Sequence, residues 1–135
     1  MNRNSYLLIS SMLLVAVLLL LLLCACNRGS AELKAFNVST LPVTNIGSTT
    51  ATLNGEITSG WAKKWFFAYG TQSVPNFSAN VSPQDSGYQF WVISEVGNYT
   101  GKFHADITGL TPGTRYYGRA GVLWGTTWVY GGEVY

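Results

Sequence analysis

The sequence predicts an all-β fold, a two-sheet antiparallel sandwich of about seven strands, preceded by an N-terminal hydrophobic helix. Three observations predict it. Short alternating segments rich in β-branched and aromatic residues recur after residue 37, separated by Gly, Pro, Ser and Thr clusters. A tight turn at residues 111–114 leads directly into strand-forming residues from Tyr116 onward. An almost continuously apolar block, Tyr6 to Ala25, precedes all of these segments.

The apolar block has the features of an export or anchoring segment. It follows a charged start at Arg3, as a signal peptide does, and a membrane-spanning helix needs about 20 apolar residues. We therefore assign residues 1–26 to a signal peptide or membrane anchor. Either assignment places the rest of the chain on the extracytoplasmic face of the cell envelope.

The end of this block, Leu23-Cys24-Ala25-Cys26, resembles a bacterial lipobox, with Leu at −3 and Ala at −1 relative to Cys26. The resemblance implies that Cys26 carries lipid, although Cys24 stands at −2, where Ala, Ser or Thr is usual. A lipoprotein, an uncleaved signal-anchor and a secreted protein stay open as outcomes. In the simplest interpretation both cysteines are small apolar residues at a helix end.

The remaining chain divides into a polar linker, residues 27–36, and a domain, residues 37–135. The domain contains no cysteine, which excludes a disulfide framework, a thiol nucleophile and a thiolate metal site within it. From residue 27 onward there are seven Lys or Arg and six Asp or Glu. This near-neutral balance argues against nucleic acid as a partner, because nucleic-acid binding needs clustered cations.

Seven predicted strands follow one another along the domain. The first, 38–46, contains Pro42, which indicates an edge strand or a bulge. The second, 50–57, alternates cleanly, with inward positions at Ala51, Leu53, Gly55 and Ile57. The other predicted strands are 64–70, 88–93, 102–108, 116–123 and 127–135. The predicted connections are 58–63, the long polar loop 71–87, the turn 97–101 and the tight loop 124–126.

The turn region resembles the E–F corner of the fibronectin type III family, a β-sandwich family with an immunoglobulin-like fold. The residues that carry the resemblance are Leu110, Pro112, Thr114 and Tyr116. The resemblance implies a tyrosine corner in which Tyr116 is buried and its hydroxyl group bonds to upstream backbone.

Three further segments resemble microbial members of this family: 51–55 in strand B, 67–70 in strand C, and 130–133 in the closing strand. Many animal members carry a core Trp on strand B, where this chain has Gly55. We therefore expect Trp65 or Phe67 to fill the space beside Gly55, and Phe66 to face outward under neighbouring strands.

No residue pattern in the domain indicates catalysis, and we predict neither an enzyme nor a cofactor or metal site. His104 is the only histidine, and its place on an outward strand face is typical of a solvated surface residue. Glycoside hydrolysis needs two carboxyl groups at a fixed separation. The five carboxylates of the domain show no paired spacing; they are Glu56, Asp85, Glu95, Asp106 and Glu133.

Tryptophans in predicted loops indicate a possible ligand surface. Trp61 falls in the connection 58–63 and Trp124 in the loop 124–126, and these two loops emerge at the same end of such a sandwich. With Trp128 they form a candidate patch for a glycan or a protein, because Trp combines a large contact area with a polar group. In the alternative interpretation these rings cap the core.

The domain also contains four Asn-x-Ser/Thr sequons, all in predicted linker or loops, where a glycan is accommodated: Asn37, Asn76, Asn80 and Asn98. The expected function is that of a membrane-anchored, extracytoplasmic module with a structural, adhesive or protein-interaction role. Its partner is an unidentified protein or glycan, and the alternative function is that of a carbohydrate-binding module.

Overall fold

The structure, a computed structural model, describes residues 36–78 and 80–135, which form five antiparallel strands and one short 3-10 helix, Pro83–Asp85. The strands are β1 (Asn37–Thr44), β2 (Thr50–Gly70), β3 (Phe90–Thr108), β4 (Tyr117–Trp124) and β5 (Thr127–Tyr130). The all-β prediction is confirmed for this part of the chain. Within it, no helix has the length and apolarity to cross a membrane. The predicted hydrophobic helix, Cys26 and all of the linker except Phe36 lie outside the described residues.

The structure has five strands where about seven were expected, because two predicted connections are themselves strand. β2 runs for 21 residues through the predicted loop 58–63, and β3 runs for 19 residues through the predicted turn 97–101. The glycines that indicate turns there, Gly60 and Gly101, have φ values of 88° and 90°. They act as kinks within two long paired strands, where the β2–β3 register also shifts.

β2 is the central strand of the sheet, and its two halves have different neighbours. Residues 52–59 pair with β1, residues 64–70 pair with β4, and β3 pairs with both halves from the other side. The resulting sheet has the order β1-β2-β4-β5, with β3 paired to β2 off this path. The sheet curls, so β1 approaches β4, and the Ala120 N–H donates to Thr40 Oγ1 at 2.9 Å.

The core lies inside this curl and follows the predicted alternation. Ala51, Leu53, Gly55 and Ile57 are all buried, as the sequence predicts. β1 is an edge strand with a register shift after Leu41, as Pro42 indicates. The buried apolar residues of this core are Val38, Ala51, Leu53, Ile57, Ala62, Phe67, Phe103, Ala105, Ile107, Ala120 and Val122.

The ring beside Gly55 comes from β3, so the expectation that Trp65 or Phe67 fills this space is wrong. Phe103 pairs directly with Gly55, and a Cβ on Gly55 would fall 2.7 Å from Phe103 Cε2. The Trp65 ring stacks on Phe103 at 5.4 Å, and Phe67 lies 5.3 Å from it. A cross-strand ring lying over a glycine fills the void with little backbone adjustment. Trp65 and Phe67 instead pack against that ring.

A second apolar layer lies on the outer face of the sheet. Phe66 is fully buried there, with the rings of Trp128 and Tyr130 at 5.4 and 4.7 Å. Phe77, from the segment 71–89, packs against Tyr130 at 4.4 Å. This segment, most of which was predicted to be an open loop, thus covers part of the outer face. Phe66 faces outward and is covered, as expected.

Candidate functional site

A polar network beneath the segment 71–89 holds this segment on the outer face. Arg119 of β4 donates to Tyr88 Oη at 3.2 Å, to the Gly131 carbonyl at 3.0 Å and to the Val74 carbonyl at 3.4 Å. Its guanidinium carbon also lies 4.9 Å from the centroid of the Phe77 ring, within cation–π range. One side chain therefore ties the sheet to both ends of the covering segment.

Glu133 is the acidic centre of this network. Its carboxylate accepts hydrogen bonds from Ser73 Oγ at 2.5 Å, from the Val74 N–H at 2.9 Å and from the Tyr88 hydroxyl group. Burial alone raises the pKa of Glu133, but these hydrogen bonds and the Arg119 charge outweigh burial and lower the pKa overall. Burial, followed by the bond to Glu133, raises the pKa of Tyr88.

In the described residues, every buried side-chain nitrogen or oxygen atom has a hydrogen-bond partner. The same residues contain no cluster of three or more His, Cys, Asp or Glu side chains able to hold a metal ion. A fully satisfied polar network of this kind orders a surface segment. Its role here is to hold residues 71–89 in place.

The three tryptophans of the predicted patch lie in strands, and two of them have different ring neighbours. All three lie in or at the end of strands: Trp61 in β2, Trp124 at the end of β4, and Trp128 in β5. Trp128 packs on Phe66 of the outer face, whereas Trp124 stacks on Phe36 with ring centroids 5.8 Å apart. The predicted loop positions of Trp61 and Trp124 are therefore wrong, because the strands extend to these residues.

Phe36 completes an aromatic group at this end of the molecule, and sequence reasoning did not include it. Besides its stack with Trp124, its ring lies over Gly60, where an added Cβ would fall 2.8 Å from Cε2. Trp61 is the next residue and is 46% exposed, while Trp124 is 38% exposed. We call Phe36, Trp61 and Trp124 the bend aromatics, after the kink in β2 beside which they lie.

The first half of β3 is an exposed, apolar edge. Residues 90–99 pair only with β2, so one side of their backbone carries no strand among the described residues. Phe90 and Trp91 are 47% and 44% exposed. No charged side chain occurs from Tyr88 to Ser94, and Glu95 is paired with Lys64. Proteins usually protect such edges with charges, prolines or a covering segment.

A pocket of about 510 Å³ opens at the other end of β4, beside the tyrosine corner. The corner itself forms as predicted, since the Thr111 N–H donates to Tyr116 Oη at 3.1 Å and Leu110 packs against the core. Tyr116 is half-buried rather than fully buried, and β4 begins one residue later than expected, at Tyr117. The pocket floor reaches the core at Leu53.

The remaining predicted positions lie on the surface. His104 is exposed on β3 opposite Asn54, and among the described residues it forms no ion pair and belongs to no cluster of three metal-ligating side chains. All four sequon asparagines are exposed, but Asn37 begins β1 and Asn98 lies in β3, so the expectation of loops is wrong for these two. Asn80, at φ 63°, accepts a hydrogen bond from the backbone N–H of Trp128 through its side-chain Oδ1 at 3.0 Å.

Comparison with known proteins finds likeness in structure but not in sequence. No protein-family model matches the chain, and no curated protein matches it. Among solved structures, the chain is similar to the sensor domain of the anti-sigma factor RsgI4 from Pseudobacteroides cellulosolvens. The TM-score is 0.48 at 16% sequence identity, over 76% of this chain and 92% of that chain. This degree of likeness assigns no function to the present chain.

Proposed function

We propose that the chain is a non-catalytic protein-interaction module of the cell envelope, held on the extracytoplasmic face by its N-terminal segment, residues 1–26. Its domain is a fibronectin type III-like sandwich. β1, residues 50–59 and residues 101–108 form one layer, and residues 62–70, residues 90–99, β4 and β5 form the other. The change of partners along β2 and the tyrosine-corner hydrogen bond support this assignment.

The exposed edge of β3 is the observation that carries the interaction role. Residues 90–94 have one backbone edge that pairs with no strand in residues 36–78 and 80–135, and they carry two half-exposed aromatic side chains and no charge. An extended segment of a partner protein gains main-chain hydrogen bonds by adding to such an edge, and alternate side chains supply specificity. Phe90 is already supported by Tyr69, whose ring lies 5.4 Å away, so the edge is preorganised.

Carbohydrate binding is the second candidate, and the bend aromatics favour it. The near-parallel stack of Phe36 and Trp124, with an interplanar angle of 21°, holds a partly exposed indole in a fixed orientation. Trp61, the residue after the Gly60 over which the Phe36 ring lies, adds a second partly exposed indole. An ordered aromatic face is suited to packing against the apolar face of a sugar ring. This surface is separate from the β3 edge, so the two candidates can be tested independently.

Site-specific photo-crosslinking in the native host tests the proposal. A photoreactive phenylalanine analogue replaces Trp91 in one version of the full chain and His104 in the control version. Both positions are exposed on β3, but only the first lies in the apolar segment. We expect a discrete protein adduct from position 91 only. Its yield should fall in a Phe90→Lys background, because a charge there disfavours strand addition.

Two other outcomes would contradict the protein-interaction role, and a third would identify the partner. A diffuse polysaccharide adduct that is lost with Trp124→Ala would favour the carbohydrate-binding function. Equal adducts from positions 91 and 104, insensitive to Phe90→Lys, would show that the β3 edge is not a specific surface. An adduct of twice the chain mass would identify the partner as a second copy of this chain.

A further inference from the structure

The pocket beside the tyrosine corner has the composition of a small-molecule site. Its volume, about 510 Å³, lies within the range of about 300–1,000 Å³ that is typical of ligand pockets. The floor is formed by core side chains, including Leu53, Ile107 and Leu110. Its walls include Tyr69, Tyr116, Tyr117 and Tyr135. No part of the described chain fills this space.

The charged side chains that line the pocket are of one sign only. Arg115 is the only Lys or Arg that lines it, and no Asp or Glu side chain does. The Arg115 guanidinium carbon lies 5.1 Å from the centroid of the Tyr135 ring, which supports the guanidinium through a cation–π contact. Arg115 makes no hydrogen bond or ion pair to another side chain among the described residues. Its donors are therefore available to a ligand.

We propose that this pocket binds a small aryl carboxylate, with the ring among the tyrosines and core side chains and the carboxylate on Arg115. The guanidinium fork matches the two oxygens of a carboxylate, and the aromatic walls offer edge and face contacts to a ring. Burial, followed by the neighbouring Tyr116, raises the pKa of Tyr69, so this wall presents a neutral hydroxyl group to a ligand. The pocket contains none of the bend aromatics, and it shares only the Tyr69 side chain with the β3 edge.

A pair of isosteric probes separates the charge from the ring. The full chain, labelled with ¹⁵N and inserted in lipid nanodiscs, is titrated with 2-naphthoate and, separately, with the neutral 2-naphthalenemethanol. We expect 2-naphthoate to shift the amide signals of Leu110, Thr114 and Gly118, which surround the pocket, with signals at the bend aromatics unchanged. The neutral probe should bind about 5- to 10-fold more weakly, because it lacks the charge-assisted hydrogen bonds.

Two variants with the same change in net charge complete the experiment. Arg115→Met removes the cation from the pocket and keeps the apolar stem, whereas Lys63→Met removes an exposed cation that does not line it. Arg115→Met should weaken 2-naphthoate binding by about 5- to 10-fold and leave the neutral probe unaffected. Lys63→Met should change neither affinity. Raising the salt concentration should weaken the naphthoate complex only.

Three results would overturn the proposal. The first is equal binding of both probes with no effect of Arg115→Met, which would make the pocket a non-selective apolar surface. The second is the absence of amide shifts at Leu110 and Gly118 at millimolar 2-naphthoate. The third is a shift of these amide signals when the protein concentration is raised in the absence of either probe. That result would mean that a second copy of the chain covers the pocket.

Discussion

A substitution at Gly121 tests the packing of the outer face around the Phe66 ring. It lies opposite Phe66 in the β2–β4 pairing, and a Cβ built on it falls within 2.8 Å of three atoms of the Phe66 ring. Carbon atoms in contact lie about 3.5–4.0 Å apart, so even Gly121→Ala requires the ring to move. The ring cannot move freely, because it is fully buried against Trp128 and Tyr130.

We expect Gly121→Ala to lower the free energy of unfolding by about 1–3 kcal/mol, the usual cost of overpacking a well-packed site. For a domain of this size that corresponds to a Tm lower by about 4–8 °C per kcal/mol. Gly132→Ala is the matched control, since its Cβ would meet nothing within 4 Å and its φ is not positive. It should leave stability unchanged or raise it by up to ~1 kcal/mol through the unfolded state.

Urea unfolding of the full chain, followed by tryptophan fluorescence, measures both variants. Adding Phe66→Leu removes the ring that the new methyl group would strike, so Gly121→Ala should cost much less in that background. This coupling is the quantity that a double-mutant cycle isolates. If Gly121→Ala costs the same with Phe66 and with Leu at position 66, or no more than Gly132→Ala, the packing argument is wrong.

Three further predictions concern the polar network and the corner. The fold lowers the pKa of Glu133 below its unfolded value of about 4.5. The ionised carboxylate therefore stabilises the fold above that pH, and this stabilisation is lost as the pH falls through the folded pKa. Acid titration of Glu133→Gln should accordingly show a smaller loss of stability between about pH 5 and 3 than titration of the unchanged chain. Arg119→Met should expose the segment 71–89 to proteolysis before the sheet unfolds, with Arg115→Met as the control. Tyr116→Phe should cost about 0.5–1.5 kcal/mol through the lost bond from the Thr111 N–H, and an unchanged urea midpoint would contradict the role of this bond.

Local patterns predicted the parts of the fold that depend on neighbours along the chain. Alternation over 50–57 predicted which side chains face the core, and the order of residues from Leu110 to Tyr116 predicted the corner and its hydroxyl bond. Both depend on backbone geometry over a few residues. The same local signals failed at Gly60 and Gly101, where glycines typical of turns form kinks, because pairing between β2 and β3 continues past them.

The candidate sites show the same division. The loop positions predicted for Trp61 and Trp124 indicated exposed rings, and both rings are partly exposed, but the sequence did not indicate which rings they contact. Trp128 belongs to the outer face, and Phe36 takes the place beside Trp124. A ring's neighbours depend on pairings between strands far apart in the chain, and no local period encodes them.

The sequence by itself determined that the described chain is all-β, which face of its second predicted strand is buried and where its corner turns, because these follow from steric preference and a period of two. Only the tertiary structure decided which ring lies over Gly55, which segment covers Phe66 and where a pocket remains beside Arg115. These features arise from long-range packing, because segments separated by dozens of residues meet in the fold and either fill the space between them or leave a cavity.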